Sequence, residues 1–331
     1  MIYAGTLPSG LETAILILIG FCVGTAGSFF GVGGAFLVTP ALNILGYPMI
    51  YAIGTDLAHM MGKSVIATIR HSKLGNVDWK AGAILLLGTF PGVKLGAITV
   101  MELEKRGNVE SVVRIAYILL LSIIGSLILR ESLKKQNDDS SLQQKAFFQK
   151  NFLIKPIISL KTSGVKRISI WSIIIIGFFT GFLSSFLGVG GGFIRMPALI
   201  YFLGIPTKIA IGTDLLEVCV SGGYGAYLYA KEGHVNVIAA LIMLLGASVG
   251  SQLGALATVY VDSHKIRFYL AITVLGTALA VSAKQIGLVG LSAGILLVLG
   301  PSLAGIIIFK LILGIRLKKL DIANKIQGDS K

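Results

Sequence analysis

Long apolar blocks run through this chain, and its polar residues gather between them. A helix needs about 20 apolar residues to cross roughly 30 Å of hydrocarbon. Nine runs approach or exceed that length: Leu11–Phe30, Tyr51–Ile69, Ala81–Met101, Val109–Leu129, Ile168–Leu187, Ile209–Ala230, Val235–Tyr260, Ile266–Ala283 and Leu288–Leu313. The pattern predicts an all-α, polytopic integral membrane protein with about 7–9 transmembrane helices.

Composition and charge agree with this prediction. Hydrophobic residues make up 54% of the chain and charged residues only 13%. The net charge of +14 lies mostly in the connections, above all between Arg130 and Arg167 and after Ile315. Cytoplasmic loops of membrane proteins carry such an excess of Lys and Arg. We therefore expect a multi-pass protein of the cell (plasma) membrane, with the central linker and the C-terminus cytoplasmic, and no nucleic-acid partner.

One segment of the chain occurs twice. The stretch GFCVGTAGSFFGVGGAFLVTPAL, from Gly20 to Leu42, returns as GFFTGFLSSFLGVGGGFIRMPAL from Gly177 to Leu199, and IGTDL follows each copy. Paired, interrupted hydrophobic segments in the two halves of a membrane protein point to a transporter's binding site. We divide the chain into a first membrane repeat (1–130), a polar basic linker (131–167), a second membrane repeat (168–287) and an extra C-terminal transmembrane helix with its tail (288–331).

The short apolar segments after each glycine cluster indicate how the two halves are oriented. Phe36–Gly46 and Phe193–Gly204 are each too short to cross the bilayer as a helix. If each turns back to the side it came from, each half makes an odd number of crossings and the repeats are inverted. This arrangement also places the basic linker and tail on one side. We therefore expect an internal, inverted repeat with two re-entrant or broken helices.

The glycine clusters are the first candidate binding elements. Non-helical backbone survives at membrane depth only inside protein or along a wet cavity, and glycine permits sharp turns and close approach of a ligand. A helix that begins after such a turn directs free N–H groups and its positive dipole end toward an anion. The alternative is that the glycines only allow tight helix packing. The candidate substrate-binding glycines are Gly31, Gly33 and Gly34 in the first copy and Gly188, Gly190, Gly191 and Gly192 in the second.

The doubled G-x-G-G-(G)-F-x-x-x-P segment, with I-G-T-D after each copy, resembles the sulfite exporter TauE/SafE family of membrane transporters. The resemblance covers nearly the whole chain outside the linker and the tails. It implies secondary transport of small sulfur-containing or carboxylate anions, such as sulfite or sulfonates. One departure is Ala35, which stands where the second copy has Gly192 and makes the first turn stiffer.

Ionisable residues at membrane depth are functional candidates, because burying a charge is expensive. Asp56 and Asp214 are equivalent in the two repeats, and each follows a threonine. The Thr-Asp pairs could bind substrate and protons, or they could cap the start of a span. One turn further on, the equivalent positions hold two different titratable side chains. The candidate proton-coupling residues are Asp56, His59, Asp214 and Glu217, and Thr55 and Thr213 are candidate substrate-binding residues.

Two basic residues complete the set of candidates for substrate binding. Lys63 continues the helix face of His59, whereas its counterpart is the neutral Ser221. Arg195 stands on the second short helix, where the first has Val38. Arg195 could hold an oxyanion with its bidentate fork, or its side chain could extend to the membrane interface.

Three classes of function remain open at this point. A secondary transporter fits best, a passive anion channel would use the same site, and an intramembrane enzyme would need the aspartates as a catalytic pair. No Walker or H-E-x-x-H sequence is present. Cys22 and Cys219 lack the spacing of a metal site. We therefore expect no enzyme, catalytic residue, cofactor or metal. The partners we expect are a small anionic substrate and the lipid bilayer, and a homo-oligomer stays open.

Overall fold

The computed structural model describes residues 9–31, 35–133 and 154–328. Helices dominate these residues. The first half contains α1 (Gly10–Phe30), α2 (Ala35–Ile44), α3 (Met49–Lys73), α4 (Trp79–Lys105) and α5 (Val109–Leu133). A hairpin of β1 (Ile157–Leu160) and β2 (Val165–Ser169) precedes the second half. The second half contains α6 (Ile170–Leu187), α7 (Gly192–Pro197) with a π-helical turn at Ala198–Phe202, α8 (Thr207–Lys231), α9 (Val237–Ala257), α10 (Ser263–Gln285) and α11 (Val289–Gly328).

Among the described residues, seven helices are long and apolar enough to cross a membrane, namely α1, α4, α5, α6, α9, α10 and α11. Two further helices, α3 and α8, carry the buried polar candidates of the IGTDL region, which lowers their hydropathy. They pack against each other between the other helices. The prediction of a polytopic all-α membrane protein is therefore confirmed.

The direction in which α3 and α8 pack shows that the repeats are inverted. A Cβ placed on Gly54 would lie 2.9 Å from the Cβ of Tyr229, near the end of α8. At the opposite end, a Cβ on Gly212, near the start of α8, would lie 3.2 Å from the Cβ of His71. The two helices are therefore antiparallel. Since they are equivalent in the repeat, the relation between the halves reverses helix direction, as expected of inverted repeats.

Glycine seams join helices of opposite halves. Along α1 and α9, Gly20 contacts Met243 and Gly24 contacts Ala247 at backbone distance, so these two helices run parallel. The equivalent helices, α6 and α4, meet in the same way. Small residues let membrane helices approach closely enough for backbone contact. The seam glycines are Gly20, Gly24, Gly246, Gly250 and Gly254 between α1 and α9, and Gly88, Gly92, Gly96, Gly177 and Gly181 between α4 and α6.

The chain returns through the protein after α6, as the length of the short segment predicts. Gly188, at the end of α6, lies against Ile53, near the start of α3. Seven residues later, Arg195 bonds to Asp214, near the start of α8. Because α3 and α8 are antiparallel, their starts lie on opposite sides of the protein. The segment from Gly188 through α7 therefore re-enters and goes back toward the side on which α6 began.

The hairpin begins in the region predicted as linker (131–167), ends two residues beyond it at Ser169, and is attached to the start of α4. Asp78 is the N-cap of α4 and accepts a hydrogen bond from the backbone N–H of Ala81 at 3.0 Å. Its other carboxylate oxygen accepts hydrogen bonds from both the backbone N–H and the hydroxyl of Ser163, in the hairpin turn. One carboxylate thus caps a helix and holds the hairpin against it.

Candidate functional site

Glycines in the left-handed conformation form the two breaks. Gly31 ends α1 and Gly188 ends α6, each with a φ of 76°. In the second break Gly190 and Gly191 also have positive φ, at 66° and 68°. Gly192 begins α7, whereas Gly33 and Gly34 lie outside the described residues. Residues with a side chain rarely adopt this backbone conformation, so the path of the backbone itself requires glycine here.

Each break packs against the IGTDL segment of the opposite half. A Cβ on Gly31 would lie 2.8 Å from the Cβ of Ile211, and one on Gly188 would lie 2.9 Å from the Cα of Ile53. Both isoleucines are fully buried. The two duplicated motifs, far apart along the chain, therefore meet in pairs across the interface between the halves.

The two candidate threonines bond to backbone at the starts of other helices. Thr55 accepts a hydrogen bond from the N–H of Asn236, the N-cap of α9, at 2.9 Å. Thr213 accepts one from the N–H of Asp78, also at 2.9 Å. Each threonine thus satisfies a buried donor in the other half, as buried polar groups require.

The equivalent aspartates connect each short helix to the long helix that follows it. Asp56 accepts a hydrogen bond from the hydroxyl of Thr39, on α2, at 2.9 Å. Asp214 accepts one from Nη1 of Arg195, on α7, also at 2.9 Å. Neither aspartate caps its own helix, because α3 begins at Met49 and α8 at Thr207. The connection is shared by the halves, but its donor is neutral in one and cationic in the other.

Arg195 is the largest fully buried side chain among the described residues. Besides Asp214, its Nε donates to Thr180 at 3.0 Å, and Nη1 also forms an ion pair with Glu217. Nη2 has no hydrogen-bond partner, and a Cβ on Gly191 would lie 2.9 Å from it. The side chain therefore does not extend to the membrane interface. It folds back under the glycine break, with one arm of its fork open.

The first half places different groups at the equivalent positions. Lys63 is 2% exposed and its Nζ has no hydrogen-bond partner. His59 is fully buried, with Nδ1 3.7 Å from Oδ1 of Asp56 and neither ring nitrogen hydrogen-bonded. In the second half, Ser221 donates to Glu217 at 3.2 Å. The first half therefore has a buried lysine without a hydrogen-bond partner, and the second an arginine between two carboxylates.

The sequence analysis missed the side chains that stabilise the ends of α1 and α6. The hydroxyl of Tyr229 donates to the carbonyl of Ser185 at 2.8 Å. A ring nitrogen of His71 lies 3.0 Å from the carbonyl of Ser28. Carbonyls in the last turn of a helix lack partners within the helix. His71 and Tyr229 are equivalent positions of the repeat, so an alignment of polar residues between the halves could have identified them.

A family model described as "Sulfite exporter TauE/SafE" matches residues 16–283. A "Probable membrane transporter protein YunE" of Bacillus subtilis is 29% identical over 254 residues, which cover 74% of this chain and 88% of the relative. A "Probable membrane transporter protein MJ0441" of Methanocaldococcus jannaschii is 29% identical over 277 residues, covering 78% and 90%. No solved structure gives a significant match.

Proposed function

Because the chain belongs to the sulfite exporter TauE/SafE family, we propose that it is a secondary membrane transporter of a small anion. The cargo class is a sulfur-containing or carboxylate anion, such as sulfite or a sulfonate. Two observations support this class. The family is described as sulfite exporters, and the relatives are named as membrane transporters. The buried cations at the glycine breaks are suited to bind an oxyanion.

The observation that carries the proposal is the unpaired Nζ of Lys63. A buried ammonium group without a hydrogen-bond partner is costly, and the oxygens of a bound anion would supply that partner. Arg195 has one open arm beside the second glycine break, so it can contribute a second contact. We propose that the cargo binds between these two side chains, against Gly31 and the 188–192 break. In this proposal, the residues that bind and release protons are Asp56, His59, Asp214 and Glu217.

The burial of five charged residues, here called the charged cluster, favours a transporter over a passive channel. They are Asp56, Lys63, Arg195, Asp214 and Glu217, and each is at most 2% exposed, so in this conformation the charged cluster is closed to solvent. A cargo bound there would need a change of conformation to leave on either side, which is alternating access. Currents too large for a carrier would favour the channel instead. Transport also accounts for the intramembrane aspartates without an enzymatic reaction.

The proposed location is the cell membrane, with the central linker and the C-terminus in the cytoplasm. The linker region and the C-terminal tail carry an excess of Lys and Arg. In the inverted arrangement both lie on the same side. The positive-inside rule assigns that side to the cytoplasm.

The test is a flux assay in proteoliposomes with sulfite, thiosulfate, methanesulfonate and small carboxylates. The wild type is expected to accumulate at least one of them. Lys63→Met should raise KM for that anion at least tenfold, because a hydrogen bond to a charged group contributes about 1.5–3 kcal/mol. The control is Lys73→Met, an exposed lysine at the end of the same helix. No flux of any anion would refute the proposed function, and equal KM values for the two variants would refute the site.

A further inference from the structure

We infer that Glu217 is an internal anion that occupies Arg195 in the empty site, and that cargo takes its place only when Glu217 binds a proton. Transport is then symport of one anion with at least one proton. The inference rests on the proposed anion transport and deepens it. Of the four candidate proton-coupling residues, it assigns the coupling to Glu217.

Two carboxylates compete for one nitrogen of Arg195. Its Nη1 contacts both Asp214 and Glu217, while Nη2 is open. Each of the two carboxylates also keeps one oxygen without a partner, Oδ2 of Asp214 and Oε1 of Glu217. Two carboxylates that share one nitrogen repel each other, and their free oxygens are buried. One of the two carboxylates is therefore bound to Arg195 less firmly than it would be in an isolated ion pair.

The repeat identifies Glu217 as the carboxylate that can leave. Asp214 has an equivalent in Asp56, and both aspartates connect a short helix to a long one. Glu217 is equivalent to His59, which has no hydrogen bond to α2. The bond from Arg195 to Asp214 therefore corresponds to the connection between Thr39 and Asp56 in the first half. Loss of the Glu217 contact leaves that connection, and the bond from Arg195 to Thr180, in place.

The buried charges explain why a proton accompanies the anion. The charged cluster has three carboxylates (Asp56, Asp214 and Glu217) and two basic side chains (Lys63 and Arg195). An anionic cargo adds another negative charge where desolvation makes excess charge expensive. A proton on Glu217 compensates for it.

The other titratable and charged groups that face Glu217 belong to three helices. Asp214 lies on the same helix, α8, and Arg195 lies on α7. On the neighbouring helix α3, the buried titratable residues closest along the chain to Met60 are Asp56, His59 and Lys63. A Cβ on Gly190 would contact Met60 and, at 3.3 Å, Val218, so this stretch of α3 lies opposite the α8 turn that carries Glu217.

The proton balance of the cycle follows directly. On the entry side the Glu217 carboxylate binds a proton and becomes neutral, and the cargo oxyanion takes its place on Arg195, with Lys63 as the second contact. On the exit side the cargo leaves, the proton leaves the carboxyl group, and Glu217 pairs with Arg195 again. Lower pH on the entry side therefore favours cargo binding, because it removes the competing carboxylate.

The experiment uses methanesulfonate, which carries one negative charge at every pH used, so that only the protein titrates. For the wild type, a pH gradient of one unit, acidic outside, should drive about tenfold accumulation without a membrane potential. A trapped pH indicator should report entry of one proton per anion. Glu217→Gln copies the protonated acid. It should keep anion exchange but lose accumulation driven by the gradient.

Two further variants make the result decisive. Glu217→Asp keeps a titratable group and should keep the coupling. Glu102→Gln removes a half-exposed glutamate that pairs with Arg106 on the same helix surface, and it should behave as the wild type. Thermal unfolding of each purified variant checks that the protein is folded.

Three outcomes would overturn the inference while leaving anion transport intact: anion movement without protons in the wild type, accumulation driven by the gradient in Glu217→Gln, or a folded Glu217→Gln protein without exchange. Failure of the wild type to move any anion of the panel would instead refute the proposed function.

Discussion

Gly191 offers a direct test of the geometry at the second break. Its φ of 68° lies in the left-handed region, which costs an L-residue roughly 1–2 kcal/mol. A Cβ there would lie 2.9 Å from Nη2 of Arg195 and closer to the carbonyl oxygen of Thr180, a backbone atom that cannot move away easily. Overpacking of this kind adds about 1–3 kcal/mol. Gly191→Ala should therefore lower the free energy of unfolding by about 2–5 kcal/mol and displace Arg195.

Gly233→Ala is the matched control, because Gly233 has a φ of 76° and no heavy atom within 4 Å of a Cβ placed on it. Gly233→Ala should lower the free energy of unfolding only by the cost of the backbone conformation, about 1–2 kcal/mol, and should keep wild-type flux. Both variants are compared by thermal unfolding in the same detergent and by methanesulfonate flux in proteoliposomes. Equal unfolding temperatures and equal flux for Gly191→Ala and Gly233→Ala would contradict the contact between the break and the arginine.

Two further substitutions test contacts outside the charged cluster. Tyr229→Phe removes the hydrogen bond to the carbonyl of Ser185 and should destabilise the protein by about 1–3 kcal/mol, because a buried acceptor loses its partner. An unchanged unfolding temperature would show that this carbonyl does not depend on the tyrosine. Asp78→Ala removes both hydrogen bonds to Ser163 and the cap on Ala81, so limited proteolysis should cleave the hairpin turn faster than in the wild type. Equal cleavage rates would mean that the hairpin is held by other contacts.

The sequence alone predicted the parts of the site that depend on residue type. The backbone breaks require glycine, and such clusters are conspicuous within apolar runs, so Gly188 and its neighbours could be identified without coordinates. A charged residue in an apolar run stands out for the same reason, which identified Arg195 and Lys63. The inverted arrangement followed from the lengths of the segments and the position of basic residues.

The partners of these residues could not be predicted in the same way. Thr39 is a threonine in an apolar segment, and nothing in the sequence indicates that it bonds to Asp56. The glycines spaced by four on α4 and α9 indicate close packing, but the spacing does not say which helix fits against them. The open second arm of Arg195 depends on the folded path of three separate segments, α6, α7 and α8.

The glycine seams have a consequence for how the protein is made. Each seam pairs a helix of one half with a helix of the other, α1 with α9 and α4 with α6. Until the second half is synthesised, the seam glycines of the first half therefore have no partner helix and face the lipid. Its final packing is a late event that follows insertion of α9. Expressed without its partner, either half would insert and yet lack the surfaces that bury its glycines, whereas co-expressing the two halves as separate chains would supply them.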